Sequence, residues 1–380
     1  MVNRTAVFLL RFTLLGAALA LLFLAVAFPL KPWIQAGLLL LDAVDSQQRA
    51  EWLHRWNDRS VRTEAVQMGT RYGPIFGRFY LPSGPVGTPV VLVHGMHAAG
   101  IAEERLGPFA RKLAARGIPV LTPEMEELRH YLITPQTTDK IEDAVSWLAG
   151  QNRFARSGRV GLIGISFSGG LSVVAAGRTG IRDKVSFVVS IGGHGEIHRA
   201  MRYLCTGQLP EGRGYARPHD YGVGILLLNL ADRLVPATQT RPLTEGITAY
   251  LHEDEEQGRA RMQELGEPAA QILKWVDGRD FDHVGPLMLP WLEPLASDPA
   301  LSPERSAPPA ASVFLIHGAA DRLIPAFETE ALARYLRGKT EVHWLITPLI
   351  SHVELERSPA LGDIWKLLRF WERIVRASGR

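Results

Sequence analysis

Apolar residues gather in short unbroken runs along much of this chain: "PVVLV" at 89–93, "VGLIGI" at 160–165, "VSFVVSI" at 185–191 and "SVFLIHG" at 312–318. Runs of this length without a polar face suit parallel strands that are covered on both sides. Between them the spacing changes to a helical period. "GPFARKLAARG" is amphipathic, and "TTDKIEDAVSWLAGQ" places Ile141, Val145 and Leu148 on one face, with Thr137 or Thr138 as its cap. "IPVLTPEM" and "EVHWLITP" read as further strands, and "AFETEALARYLRG" and Ile364 to Val375 as further helices. Near the start, "SVRTEAVQM" and "IFGRFYLP" flank the turn signal "RYGP", which predicts a hairpin. Strands alternating with helices predict an α/β fold built on a doubly wound, mostly parallel sheet.

The alternation stops between Glu196 and Ala310. That stretch holds the charged "HEDEEQGRARMQELGEPAAQILKWV" and the Pro-punctuated "HVGPLMLPWLEP", both helical in character. It is too long for a loop within a compact domain, so it predicts a helical cap inserted into the sheet. At the amino end, Phe12 to Leu30 runs nineteen residues without a charge, behind Arg4 and Arg11. Such a run spans a bilayer, and Lys31 and Trp33 follow where headgroups would lie. A cleaved signal peptide is the competing expectation, since Ala25-Val26-Ala27 supplies a small-residue site. The expected organisation is a membrane anchor or signal at 1–33 and a helical connector at 34–60 that carries Trp52 and Trp56. The first part of the α/β core follows at 61–195, then the cap at 196–310 and the second part of the core at 311–380. The catalytic part then lies outside the cytoplasm, membrane-anchored, or secreted or periplasmic if the segment is removed.

Composition narrows the classes of function. Of 380 residues, 46% are hydrophobic and 21% charged, enough to bury a sizeable core. Forty-two basic against 39 acidic side chains leave +3 and no long basic run, so no nucleic-acid partner is expected. Cys205 is the one cysteine, which excludes an intrachain disulfide and thiolate metal cages. His94 and His97 have no third ligand in view, and neither metal nor cofactor is expected.

The chemistry gathers in "GLIGISFSGG", where a strand gives way to a helix. A serine on such a turn stands clear of the sheet, with the helix amino end favouring negative charge. Centred on Ser166 the flanks are Gly164 and Ser168, and centred on Ser168 they are Ser166 and Gly170, so each frame breaks G-x-S-x-G once. The small run Ser168-Gly169-Gly170 favours Ser166. Asp321 follows the apolar run that ends in His317-Gly318, and His352 follows the last strand. Their order, serine then acid then histidine, is that of the α/β-hydrolase triad. Asp232 in "ILLLNLADRLVP" competes for the acid's place but lacks a preceding His-Gly. Oxyanion donors would be the N–H of Phe167 and that of Met96 in "HGMHAAG", with His97 as the alternative to Met96.

Through "HGMH", "GISFSGG", "HGAADRLIP" and Ser351-His352, the sequence resembles the α/β-hydrolase superfamily over roughly Val61 to Val375. The resemblance implies an α/β-hydrolase fold and a serine-hydrolase mechanism. Ser166 would attack, His352 would relay the proton, Asp321 would orient the imidazole, and an acyl-enzyme would form. The expected substrate is a small-molecule or lipid-like carboxylic ester. Amide or peptide hydrolysis and acyl transfer use the same groups, and a silent membrane-tethered scaffold is the reading of another class. The sequence names no substrate-binding residues and no oligomeric state. Trp275, Trp291 and Met288 fall in the cap, where they either line an apolar pocket or fill core.

Overall fold

The computed structural model describes residues 30, 32–37, 59–252, 265–278, 280–350 and 360–378. The expected membrane run lies outside these residues except for Leu30, as do Trp52, Trp56, residues 253–264 of the charged cap run, Ser351 and His352. Among the described residues, no helix is long and apolar enough to cross a membrane.

The sheet has eight strands: β1 (Val61–Thr70), β2 (Gly73–Pro82), β3 (Val90–Val93), β4 (Val120–Pro123), β5 (Val160–Ile165), β6 (Val185–Ile191), β7 (Ser312–Gly318) and β8 (Val342–Thr347). They lie in the order β1-β2-β4-β3-β5-β6-β7-β8. β1 and β2 form the expected hairpin, β2 runs antiparallel to β4, and the remaining pairs are parallel. The apolar runs are therefore the central strands. Val90 to Val93 are all buried, because helices cover both faces of the sheet.

On one face pack α1 (Leu106–Ala115) and the terminal α12 (Leu361–Ser378), whose Leu367, Phe370 and Ile374 meet the β3, β5, β6 and β7 side chains Leu92, Ile163, Val189 and Phe314. The other face carries α3 (Gln136–Ala149) and α4 (Phe167–Gly177), with the short α2 (Glu126–Arg129) before them. The α3 cap differs from the expectation. The helix starts two or three residues earlier, at Gln136 behind Pro135, and Thr137 and Thr138 are buried within it. Thr138 donates instead to the carbonyl of Ala300 at 2.8 Å, a contact between segments 162 residues apart that local propensity cannot register.

Between β6 and β7 the regular structure among the described residues is helical apart from one isolated bridge, Gln208 to Tyr215. The helices are α5 (Ile197–Thr206), α6 (Asp220–Leu234), α7 (Ala237–Leu251), α8 (Ala269–Asp277), α9 (Phe281–Met288) and α10 (Leu292–Ala296), and α11 (Phe327–Leu336) follows β7. Arg199 on α5 ties them to the core, donating to Glu304 at 2.6 Å and to the fully buried Glu328 of α11 at 2.7 Å. Glu328 also accepts the N–H groups of Gly195 and Glu196, so its charge is met from several sides.

The order fixes where a site can form. The chain leaves β3 toward β4 on one side and leaves β5 toward β6 on the other, so β3 and β5 bound a switch point whose crevice opens at their carboxyl ends. The architecture is α/β-hydrolase-like, an eight-stranded and mostly parallel sheet whose β5 ends in a serine turn.

Candidate active site

Ser166 sits at that crevice with φ 57° and ψ −130°, a conformation that costs a non-glycine residue about 1–3 kcal/mol. Its own N–H donates to Ile191 at the end of β6 (2.7 Å), and its carbonyl accepts from Gly169 (2.8 Å), so both sides of the turn are held. Crowding explains the glycine before it. A Cβ on Gly164 would come 2.3 Å from the carbonyl oxygen of Ser168 and 2.4 Å from Ser172 Oγ. Ser166 is the residue before the first turn of α4, so the helix amino end faces whatever approaches its hydroxyl.

The two serines that the motif could not separate differ completely in surroundings. Ser168 is fully buried; its Oγ accepts from Ile165 N–H (3.0 Å) and reaches the carbonyls of Val93 (3.1 Å) and Ile165 (2.9 Å). It joins the end of β3 to the turn. Ser166 instead lines a cavity of about 80 Å³.

Asp321 lies beyond β7, its side chain only 2% exposed. Oδ1 accepts the N–H groups of Leu323 (2.8 Å) and Ile324 (3.1 Å), and Oδ2 is 3.3 Å from His317 Nε2. His317 is itself held through Nδ1 by Thr329 Oγ1 and through Nε2 by the carbonyl of Ile324, each at 2.8 Å. The ends of β5, β6 and β7 are chained together, because Ser166 N–H bonds Ile191 and Gly192 N–H bonds Ile316. Asp232 lies on α6, 60% exposed and 3.4 Å from Arg233, and is not part of the cavity wall at Ser166.

His352 lies outside the described residues. The carbonyl of Ile350, two positions earlier, would stand 2.3 Å from a Cβ on Gly318, so the chain leaving β8 crosses directly over the end of β7.

The loop after β3 faces the serine turn: a Cβ on Gly95 would lie 3.3 Å from Ser166 Cβ. His94 braces it from within the core, Nδ1 being 2.7 Å from the Gly95 carbonyl while Nε2 accepts Met125 N–H at 3.1 Å. His97 is exposed and accepts from Ala99 N–H, and no group of three metal-ligating side chains occurs among the described residues. Among those residues the N–H groups of Met96 and Phe167 have no acceptor, although Met96 accepts through its carbonyl from Tyr221.

Apolar side chains dominate the cavity wall, with Met96, Ile133, Met201, Ile225 and Leu323 among them; the polar groups there belong to Ser166, His194 and Tyr221. Trp275, Trp291 and Met288 are absent from it. Trp275 stacks on His283, Trp291 faces solvent beneath Arg233, and Met288 is core. Sequence reasoning missed His194 and Tyr221. The signal for His194 was its place in "IGGHGE", directly after a buried strand. It stacks on Phe167 at 5.1 Å with Nε2 2.7 Å from the Leu301 carbonyl, and burial pushes its pKa down to about 4. It is therefore neutral near pH 7. Burial likewise pushes the Cys205 thiol up to about 12, which disarms it as a nucleophile. A second cavity, about 490 Å³, lies toward the amino end of β5 beside Arg62, Arg153 and Arg156, away from these groups.

No protein-family model and no curated protein matches the sequence. Among solved structures, the chain is similar to the uncomplexed acylaminoacyl peptidase of Pyrococcus horikoshii at 13% identity and a TM-score of 0.48, over 87% of this chain and 44% of that one. It is similar to an esterase of the archaeon Pyrobaculum calidifontis at 16% identity and 0.46, over 87% and 90%. A dienelactone hydrolase of Anabaena variabilis gives 16% and 0.45, over 84% and 99%. The chain thus spans under half the length of the peptidase. At these scores the likenesses carry no weight of their own, and the strand order and the serine turn stand for the fold.

Proposed function

We propose that the protein is a serine hydrolase that cleaves a carboxylic ester with a small apolar acyl group. The observation that carries this reading is the strained turn that holds Ser166 against an apolar cavity while the neighbouring Ser168 is consumed by backbone. In the proposed mechanism, Ser166 Oγ attacks the ester carbonyl as His352 takes its proton. Asp321, oriented by Leu323 and Ile324 N–H, holds the imidazole and stabilises its charged form. Charge on the carbonyl oxygen is met by the N–H groups of Met96 and Phe167. The alkoxide leaves with the proton from His352, and water then releases the acid from the acyl-enzyme by the same steps. A cavity of about 80 Å³ is well below the roughly 300–1,000 Å³ of pockets for drug-sized ligands, which favours short acyl groups over long lipid chains.

A fluorophosphonate probe tests the reading. Labelling of wild type that vanishes in Ser166→Ala supports it; absence of labelling in folded wild type, or labelling that survives Ser166→Ala and vanishes in Ser168→Ala, overturns it. Residues 1–33 are further proposed to anchor the enzyme with its catalytic part outside the cytoplasm, on the strength of their uncharged run behind two arginines. Retention in membranes after alkaline carbonate washing is the expected result. Release of a chain that begins after Ala27 would replace the anchor with a signal peptide.

A further inference from the structure

The loop that presents Met96 is held from two directions. From the core, His94 Nδ1 lies 2.7 Å from the Gly95 carbonyl, which belongs to the peptide that carries Met96 N–H. From the helical region, the Tyr221 hydroxyl donates to the Met96 carbonyl at 3.0 Å, across 125 residues of sequence. That carbonyl belongs to the next peptide, the one that carries His97 N–H. A planar trans peptide whose carbonyl is fixed has its N–H fixed on the opposite side. Of the two loop N–H groups considered as oxyanion donors, that of Met96 is thus aimed by His94 and that of His97 by Tyr221.

Tyr221 is built for this position. It lies in the first turn of α6, where the His219 side chain accepts its N–H at 3.2 Å. Its ring meets Tyr131 edge to face at 5.9 Å and forms part of the cavity wall. The rest of α6 has its own attachment to the core. Asn229 donates to the Tyr131 carbonyl at 2.7 Å and accepts from Ile133 N–H at 2.9 Å. The helix thus has a second attachment beside the Tyr221 hydroxyl, which reaches the Met96 carbonyl and the Tyr131 side chain.

We infer that Tyr221 is a positioning residue that holds the Met96–His97 peptide of the oxyanion loop from the inserted helices, so that their docking and the alignment of this loop are coupled. The inference rests on the serine-hydrolase reading above.

The test uses the full chain, p-nitrophenyl butyrate as substrate and a trifluoromethyl ketone that forms a hemiketal oxyanion on the serine. Tyr221→Phe removes only the hydroxyl. Its kcat should fall about 10- to 100-fold, KM should stay within about threefold, and the ketone should bind more weakly by the factor lost in kcat/KM. An unchanged kcat, or a rise confined to KM, overturns the inference and makes Tyr221 a wall residue. Asn229→Ala loosens the same helix at its other attachment. If it lowers kcat as much as Tyr221→Phe at an equal loss of melting temperature, general docking explains the effect and the inference fails. Difluorotyrosine at position 221 tests the same point without emptying the site. As that more acidic phenol ionises it loses the donated proton, so kcat should gain a descending alkaline limb that wild type lacks; an unaltered profile overturns the inference. Wild type that neither turns over nor reacts with fluorophosphonate removes the hydrolase reading and this inference together, whereas full activity in Tyr221→Phe removes only this one.

Discussion

Residues 231–236 read ADRLVP and residues 320–325 read ADRLIP, yet the two segments share neither conformation nor chemistry. The first closes α6, with Val235 at the helix end and Pro236 beyond it. The second is the loop between β7 and α11. The difference begins upstream. "ILLLNL" is rich in leucine, which favours helix, whereas "SVFLI" brings the β-branched and aromatic side chains that suit a strand. Gly318 then admits the Ile350 carbonyl where any Cβ would collide, and Asn229 at the corresponding place bonds back to the Ile225 carbonyl one helical turn away. The same aspartate is consequently immersed among N–H donors in one copy and left in solvent in the other. A short motif takes its chemistry from the backbone beneath it.

Asp321→Asn breaks the comparison most sharply. The amide keeps an oxygen for Leu323 and Ile324 N–H but offers His352 the wrong partner, so kcat should fall roughly 10³- to 10⁴-fold with the fold retained. Hydrolysis of p-nitrophenyl butyrate measures this, and a loss under tenfold would leave the acid unassigned. Next in size is His317→Phe. The matching position before Asp232 is Leu228, an apolar contact, whereas His317 is buried between Thr329 and the Ile324 carbonyl. Removing the imidazole strands both partners and should lower unfolding free energy by about 2–3 kcal/mol in urea titrations. A change under about 0.5 kcal/mol, the spread of neutral surface substitutions, would show that the loop does not need its histidine.

The fourth residue of each segment sharpens the contrast in specificity. Leu323 lines the cavity beside Ser166, while Leu234 packs against the core away from it. Leu323→Ala should favour longer acyl chains by about tenfold in relative kcat/KM, the scale of one or two methylenes in an apolar pocket. Leu234→Ala should cost about 1 kcal/mol of stability and leave the chain-length profile alone. Equal profiles in the two variants would place the acyl group elsewhere.

Much of the sheet was legible because the central strands are mostly apolar on both faces, a pattern that depends on burial on both sides and on nothing more distant. The hairpin, the helical stretch after β6 and the terminal helix were legible for similar local reasons. The rest depends on contacts that the motif does not contain. The small run after Ser166 favoured it over Ser168, but the reason Ser168 is excluded lies partly in Val93, 75 residues upstream, whose carbonyl takes up the Ser168 hydroxyl. Thr138 proved to be a buried donor to Ala300 rather than a cap, and Tyr221 and His194 gained meaning from Met96 and Leu301. The place of Asp321 just past a strand end was readable because His317-Gly318 precedes it, a local cue that Asp232 lacks.

Asp232→Asn carries the smallest expected effect and isolates context from motif. The carboxylate sits in the last turn of α6, near carbonyls that make the helix end negative, so its charge is mildly unfavourable there. Its pairing with Arg233 at 3.4 Å, with both side chains 60% exposed, is screened by water and contributes little. The two small terms oppose each other. Stability should therefore move by less than about 0.5 kcal/mol, and kcat on p-nitrophenyl butyrate should stay within about twofold of wild type. A tenfold fall in kcat at unchanged melting temperature would mean that the exposed copy serves the reaction, and that burial among N–H donors is not what separates the two aspartates.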